Sequence, residues 1–283
     1  MAGPQVWADL HFTKNPFRAK RLQRHDMTLK DELRFIDLTA RMALRADAST
    51  LVLGYLWWIL EPLLFVAIFY LVFAIILDSQ RADILSFLIV GKLPFQWFGG
   101  GLNLAAMSIF SSQSLISNTH VPKALLVFSK IQQGTYKQLA VFTLMAIYLL
   151  SVGSHPSWGW FWVIPIAVAQ YFVILACALV GAVMVCFAKD FAKLIQMFVI
   201  FMMFSSGIFW DVRALEPELQ ALIFNFNPLA FLLDSYRQVL LYHGDIDLVR
   251  LALIASFFSG LCALVMLWIR RNETKLALLV LSK

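Results

Sequence analysis

The chain has 283 residues, of which 61% are hydrophobic and 14% charged, and its net charge is +6. A soluble domain is normally about half apolar and about a quarter charged, so this composition excludes an ordinary water-soluble enzyme or binding module. The basic residues flank long apolar blocks, which fits the positive-inside rule and not a nucleic-acid-binding face.

Residues 1–28 are polar and basic, with Pro4 and Pro16, and are expected to form a cytosolic arm; they lack the apolar core of a cleavable signal peptide. Residues 29–48 predict an amphipathic helix. Leu29, Leu33, Ile36, Ala40 and Ala43 recur at helical spacing, and Lys30, Arg34, Asp37, Arg41 and Arg45 form another stripe. This helix runs directly into an apolar block, which favours a place in the membrane interface over a free cytosolic helix. Residues 49–275 read as one transmembrane domain and 276–283 as a cytosolic tail.

Six spans are expected, at 56–77, 84–110, 131–152, 161–187, 194–210 and 248–269, each about 20 residues. The second is broken by Pro94 and by Gly99, Gly100 and Gly101, and is expected to bend there. Lys137 is near enough to one end of the third to snorkel. With the N-terminus inside, Lys123, Lys130, Lys189, Lys193, Arg270, Arg271 and Lys275 fall on the inner side, while the outer turns hold Arg81 and little else that is basic. Six spans place both termini in the cytoplasm. Between spans five and six, two apolar pieces at 217–224 and 229–241 are too short to cross about 30 Å at about 1.5 Å per residue. Asn227 as N-cap, Pro228 in the first turn and Gly244 as a stop predict a helical hairpin re-entering from the outside. The alternative, two further spans, would insert Glu216, Glu218, Asp234 and Arg237 at a cost.

The sequence holds no G-x-x-x-x-G-K-[ST] phosphate loop, so the chain is not expected to hydrolyse ATP. Cys177, Cys186 and Cys262 lie in apolar stretches without ligand spacing, and His11, His25, His120, His155 and His243 are scattered, so no metal centre is expected. No G-x-S-x-G elbow occurs either. An enzyme reading has no constellation to stand on.

Several short motifs occur in a telling order. Leu53, Gly54, Trp57 and Pro62 fit L-G-x-x-W-x-x-x-x-P at the first span, and Gly91 to Phe95 resembles G-L-x-P-[WF], with Lys92 departing from the usual apolar residue. The stretch from Asn118 to Lys123 ends in a Pro-Lys pair, Lys189 and Asp190 open the fifth span, and Gly207 replaces proline in an S-P-[IV] region. Asn227 and Pro228, then Asp234 and Arg237, complete the pattern. Together these resemble ABC-2 type permeases that export capsular polysaccharide, O-antigen or teichoic acid, over about residues 30 to 275. The Glu61-Pro62 pair looks most like the capsule branch.

The resemblance implies an inner-membrane homodimer that binds two copies of a separate ATPase subunit. ATP and Mg would be held by that partner, with no cofactor in this chain, and envelope export partners would follow. The interfacial helix, with Arg41 and Arg45, and the loop residues Ser117, Asn118, His120, Pro122 and Lys123 are the candidate coupling contacts; a plain positive-inside loop is the alternative.

A sugar polymer needs a lined path through hydrocarbon, and aromatic rings suit the apolar C–H faces of pyranoses. Trp58, Phe65, Phe69 and Phe73 in the first span, and Phe198, Phe201, Phe204 and Phe209 in the fifth, are candidate lining residues; lipid contact and core packing are the alternatives. Glu61 and Lys92 join them as ionisable groups inside spans. Asn227, Pro228, Asp234 and Arg237 mark the outer hairpin, where Arg237 is expected to meet a phosphate or sugar, or to pair with Asp234. A small hydrophobic drug or lipid as cargo, an envelope-sugar enzyme and a scaffolding subunit are the competing readings.

Overall fold

The computed structural model describes residues 28–50, 52–76, 83–119, 121–154 and 156–282. The arm up to residue 27, with His11 and His25, and also Arg81, His120 and His155 lie outside the described residues. Among the described residues the regular elements are all helical.

Helix α1 (Leu29–Thr50) starts on a reciprocal cap: Thr28 Oγ1 donates to Asp31 Oδ2 at 2.6 Å, and the Asp31 amide donates back to Thr28 Oγ1. It buries a narrow seam, Ala40 and Ala48, against α5 (Lys123–Ser151), while Leu29, Leu33, Leu38 and Met42 stay exposed. The predicted apolar stripe therefore divides between a protein-facing part and an open part. Polar contacts hold the seam. Tyr136 donates its phenolic proton to Asp37, which also pairs with Arg41 at 2.9 Å. Asp47 accepts from Lys137 at 2.6 Å and from Gln133 at 2.8 Å.

The Tyr136 hydrogen bond, assisted by Arg41, holds the Asp37 carboxyl below its ordinary value of 3.8. A depressed carboxyl stabilises the docked state fully above its unfolded value and ceases to do so as pH falls through the folded one. Docking of α1 is therefore expected to be pH-independent above about pH 4 and to loosen below it. Hydrogen exchange of α1 amides across that range checks this, with Asp37→Asn expected to show no such step. An identical step in that variant would refute the role given to Asp37.

Gly54, at φ +50°, makes the bend from α1 into the first membrane segment, a backbone region in which a Cβ is strained. That segment comprises the turn Gly54–Leu56, α2 (Trp57–Tyr70) and a π-helical turn (Leu71–Ile76). Among the described residues, three helices are long and apolar enough to cross a membrane: Gly54–Phe73, Trp158–Phe187 and Leu248–Arg271. The second consists of a 3-10 turn leading into α6 (Val163–Phe187), and the third is α10. Two others have the length but carry polar residues inside. These are α3 (Ile84–Ala106), about 34 Å long, and α5, about 43 Å. The second expected span ends earlier than its hydropathy suggested, because a turn begins at Met107. The third begins earlier, because Lys123–Lys130, expected as loop, forms the first two turns of α5 with Lys123 itself buried. Helix α7 (Phe191–Ser205) is a shorter apolar helix.

Helix α3 is the axis of the bundle, packed by α2, α5, α6, α7 and α9 (Pro228–Arg237). Pro94 removes one helical donor from α3. The carbonyls beside it are taken from two sides, Leu93 O by Gln138 Nε2 of α5 at 3.1 Å and Pro94 O by Gln170 Nε2 of α6 at 2.7 Å. The bend expected here is thus braced at the proline.

Contacts at the two ends of the bundle sort the loops. At one end, Arg270 at the close of α10 meets Glu32 of α1 at 3.2 Å. There too Gln113 of α4 (Gln113–Asn118) donates to Val280 O of α11 (Glu273–Leu281) at 2.7 Å, and Lys189 lies over Phe110. The expected tail is therefore helical over most of its length, with Leu276 and Val280 buried. At the other end, Tyr242 reaches Asp83 at 2.8 Å and Ser154 reaches Leu240 O at 3.1 Å.

Candidate functional site

A cavity of about 440 Å³ opens where α2, α3, α5 and α7 meet. Trp58, Glu61 and Phe65 of α2 form one wall; Lys92, Phe95, Gln96, Trp97, Gly100 and Asn103 of α3 form the floor. Helix α5 adds Gly134, Lys137 and Gln138, and α7 adds Val199, Ile200 and Met203. Rings and side-chain amides alternate around it.

Lys92 is 7% exposed. Its Nζ lies 4.7 Å from the Phe65 ring centroid and 5.7 Å from that of Phe95, and donates to Met203 Sδ at 3.6 Å. These soft contacts hold an ammonium in place at a fraction of the strength of a carboxylate. Lys137 differs: Asp47 neutralises it, and its Nζ lies 5.1 Å from the Trp58 ring centroid. Three polar atoms of lining residues, Gln96 Oε1, Trp97 Nε1 and Asn103 Oδ1, are buried without a hydrogen-bond partner among the described residues. Amide and charged side chains beside rings suit the cavity to a polar guest with apolar faces.

The expected lining residues divide. Trp58, Glu61, Phe65 and Lys92 border the cavity. Phe69, Phe73 and Phe204 instead gather on Phe209, with centroids at 4.4, 5.8 and 5.5 Å, in a separate aromatic cluster. Phe198 and Phe201 are exposed on the outer side of α7, because the helical period turns Val199, Ile200 and Met203 inward. The cavity amides Gln96, Asn103 and Gln138 were not singled out in the sequence. Their signal was an amide inside an apolar block, where polar side chains serve as glue or lining.

Of the coupling candidates, Arg41 is engaged with Asp37 and lies 6.0 Å from the Tyr136 ring centroid, and Arg45 is exposed. Ser117 and Asn118 close α4 by donating to Ser114 O, Pro122 precedes α5, and Lys123 is buried.

The two short apolar pieces form the helices α8 (Pro217–Phe226) and α9. Asn227 caps α9 by accepting from the amides of Leu229 and Ala230, and its Nδ2 donates to Ser206 Oγ at 3.0 Å, tying the hairpin to the end of α7. Two expectations for its charges are overturned. Asp234 pairs with Arg213 at 2.9 Å, not with Arg237. Arg237 is 2% exposed and points into the bundle, where Nη1 donates to Gly207 O at 2.7 Å and Nη2 to Ile208 O at 3.0 Å and Phe87 O at 3.3 Å. Its guanidinium lies 3.5 Å from the Phe87 ring centroid, over Gly91, where an added Cβ would collide with Nη2. The loop carbonyls after α7 need a donor, and Gly207 at φ +71° turns them toward it.

No protein-family model matches the chain. The resemblance drawn from the motifs nevertheless holds across most of its length. Two curated homologues from Klebsiella pneumoniae are each named O-antigen export system permease protein RfbA. One is 25% identical over 219 residues, covering 77% of this chain and 83% of the relative. The other is 27% identical over 197 residues, covering 69% and 76%. A homologue of the same name from Myxococcus xanthus is 22% identical over 218 residues, covering 76% and 82%.

Proposed function

We propose that this chain, a homologue of O-antigen export permeases, is the membrane-spanning permease subunit of an ABC exporter that moves a polysaccharide across the bacterial inner membrane. The observation that carries the reading is the cavity at α2, α3, α5 and α7, which combines aromatic rings with amide-bearing side chains in an otherwise apolar bundle. Pyranose rings present apolar C–H faces and outward hydroxyls, so such a lining holds and releases sugar units in succession without a tight site.

The six-span arrangement is part of this proposal. Helices α3 and α5 cross with their polar residues turned inward, α7 crosses as the fifth span, and α8 and α9 re-enter from the outside without crossing. The Arg270–Glu32 contact supports an even count, since it brings the close of α10 to the beginning of α1. The basic residues Lys189, Lys193, Arg270 and Arg271 at that end make it cytoplasmic by the positive-inside rule. Two copies of the chain pair around the path, and two copies of a separate ATPase subunit dock below, binding the ATP and Mg. Their motion enters through α1 and α4, and the Asp37–Tyr136 and Asp47–Lys137 contacts pass it to α5 and so to the cavity wall.

Deleting the gene is expected to leave completed polymer inside the inner membrane, read by cell fractionation and polymer immunoblot. Restoring the chain together with its ATPase returns polymer to the surface. Normal surface polymer in the deletion strain, with altered sensitivity to small hydrophobic drugs, would replace this reading with export of small hydrophobic molecules.

A further inference from the structure

Lys92 poses a problem that sugar hydroxyls alone do not solve. An ammonium group has three donors, yet the contacts of Lys92 Nζ are a thioether and two rings. Among the described residues no carboxylate forms an ion pair with it; Glu61 lines the same cavity and acts on it only through space. A cation inside a membrane bundle is costly, and an apolar side chain at this position would pack against Phe65, Phe95 and Met203 without that cost. Free volume adjoins Lys92, which borders the cavity.

A cationic donor beside open space in a medium of low dielectric matches an oxyanion. Lys137 does not compete for it, because Asp47 neutralises that charge. We propose that Lys92 forms an oxyanion subsite in the cavity, so that the exported polymer carries an acidic group, a carboxylate or a phosphodiester, in its repeating unit. This rests on the reading of the cavity as a polymer path and names the class of polymer. The soft contacts of Lys92 fit a transient role: rings and sulfur hold the ammonium between arrivals and yield to each passing acid. A carboxylate at their position would compete with the cargo.

The test uses the full-length chain in lipid nanodiscs, titrated with three oligomers of equal length and read by tryptophan fluorescence, since Trp58 and Trp97 line the cavity. One oligomer is of glucuronate, one of neutral glucose and one of glycerol phosphate. At least one acidic oligomer is expected to bind about tenfold or more tightly than the neutral one, and which of the two leads tells carboxylate from phosphodiester. Lys92→Met is expected to remove that preference, so that acidic and neutral oligomers bind alike, while Lys92→Arg retains it. Thermal unfolding shows whether both variants remain folded. Equal binding of acidic and neutral oligomers by the unaltered chain, or a preference that survives Lys92→Met, overturns the subsite and spares the polysaccharide reading. Binding of none of the three overturns both.

Discussion

Arg237→Met is expected to destabilise the bundle more than any other single substitution considered for this chain, by roughly 3–5 kcal/mol, because it strands two or three buried carbonyls at about 1–3 kcal/mol each. The guanidinium reaches Gly207 O, Ile208 O and Phe87 O at once, and so joins α9, the loop after α7 and the axial helix α3. No other side chain type spreads planar donors over three such acceptors. Arg237→Lys keeps the charge but not the fork, and is expected to recover only part of the loss. Gly91→Ala approaches the same damage from the other side, since its Cβ would occupy the space of Nη2. Chemical unfolding in detergent, with the yield of membrane-inserted chain as a second readout, measures all three. Native stability in Arg237→Met would mean that these carbonyls need no protein donor.

The fate of Arg237 shows how far the sequence could be read. Its position one turn after Asp234 suggested either a helical ion pair or an outward-facing anion site, because local spacing was all that could be seen. Its guanidinium donates to backbone carbonyls 150 and about 30 residues away, which leave no side-chain pattern to read. Arg213, the actual partner of Asp234, is equally remote from spacing arguments. What depends on local chemistry was legible: the cap at Asn227, the two short helices beside it, the amphipathic start and the long apolar segments. The glycine at 91 was visible as a motif, but its reason, space for a guanidinium from another helix, was not.

The aromatic residues divide in the same way. Composition pointed to rings as lining, and Trp58 and Phe65 border the cavity. The phase of α7 was not recoverable, because Met, Phe, Val and Ile surround that helix on every side and hydrophobicity gives no preferred face. The structure sets Val199 and Met203 in the cavity wall and leaves Phe198 and Phe201 exposed. Likewise the Pro94 region read as a hinge, since proline and glycine break helices. Gln138 and Gln170 donate from neighbouring helices to the carbonyls of Leu93 and Pro94, ties that a hydropathy pattern does not show.

Gly100→Trp is expected to reduce export to the level of the deletion strain while the protein stays folded. The three consecutive glycines of α3 differ in what surrounds them. A Cβ at Gly99 would meet Val199 Cγ1 at 2.9 Å, and one at Gly101 would meet Ile174 Cγ2 at 3.0 Å, so both serve close packing of α3 on its neighbours. Nothing lies within 4 Å of a Cβ at Gly100, which borders the cavity. An indole there projects into the space proposed for the polymer and displaces no helix, and replacing a helical glycine relieves a backbone cost of up to about 1 kcal/mol. Gly100→Ala, which adds one methyl group to that space, is expected to export normally. Surface polymer and thermal unfolding, measured on the same strains, separate blockage from misfolding. Full export by a folded Gly100→Trp variant would place the polymer path elsewhere, at the exposed faces of α2 and α7 and not in this cavity.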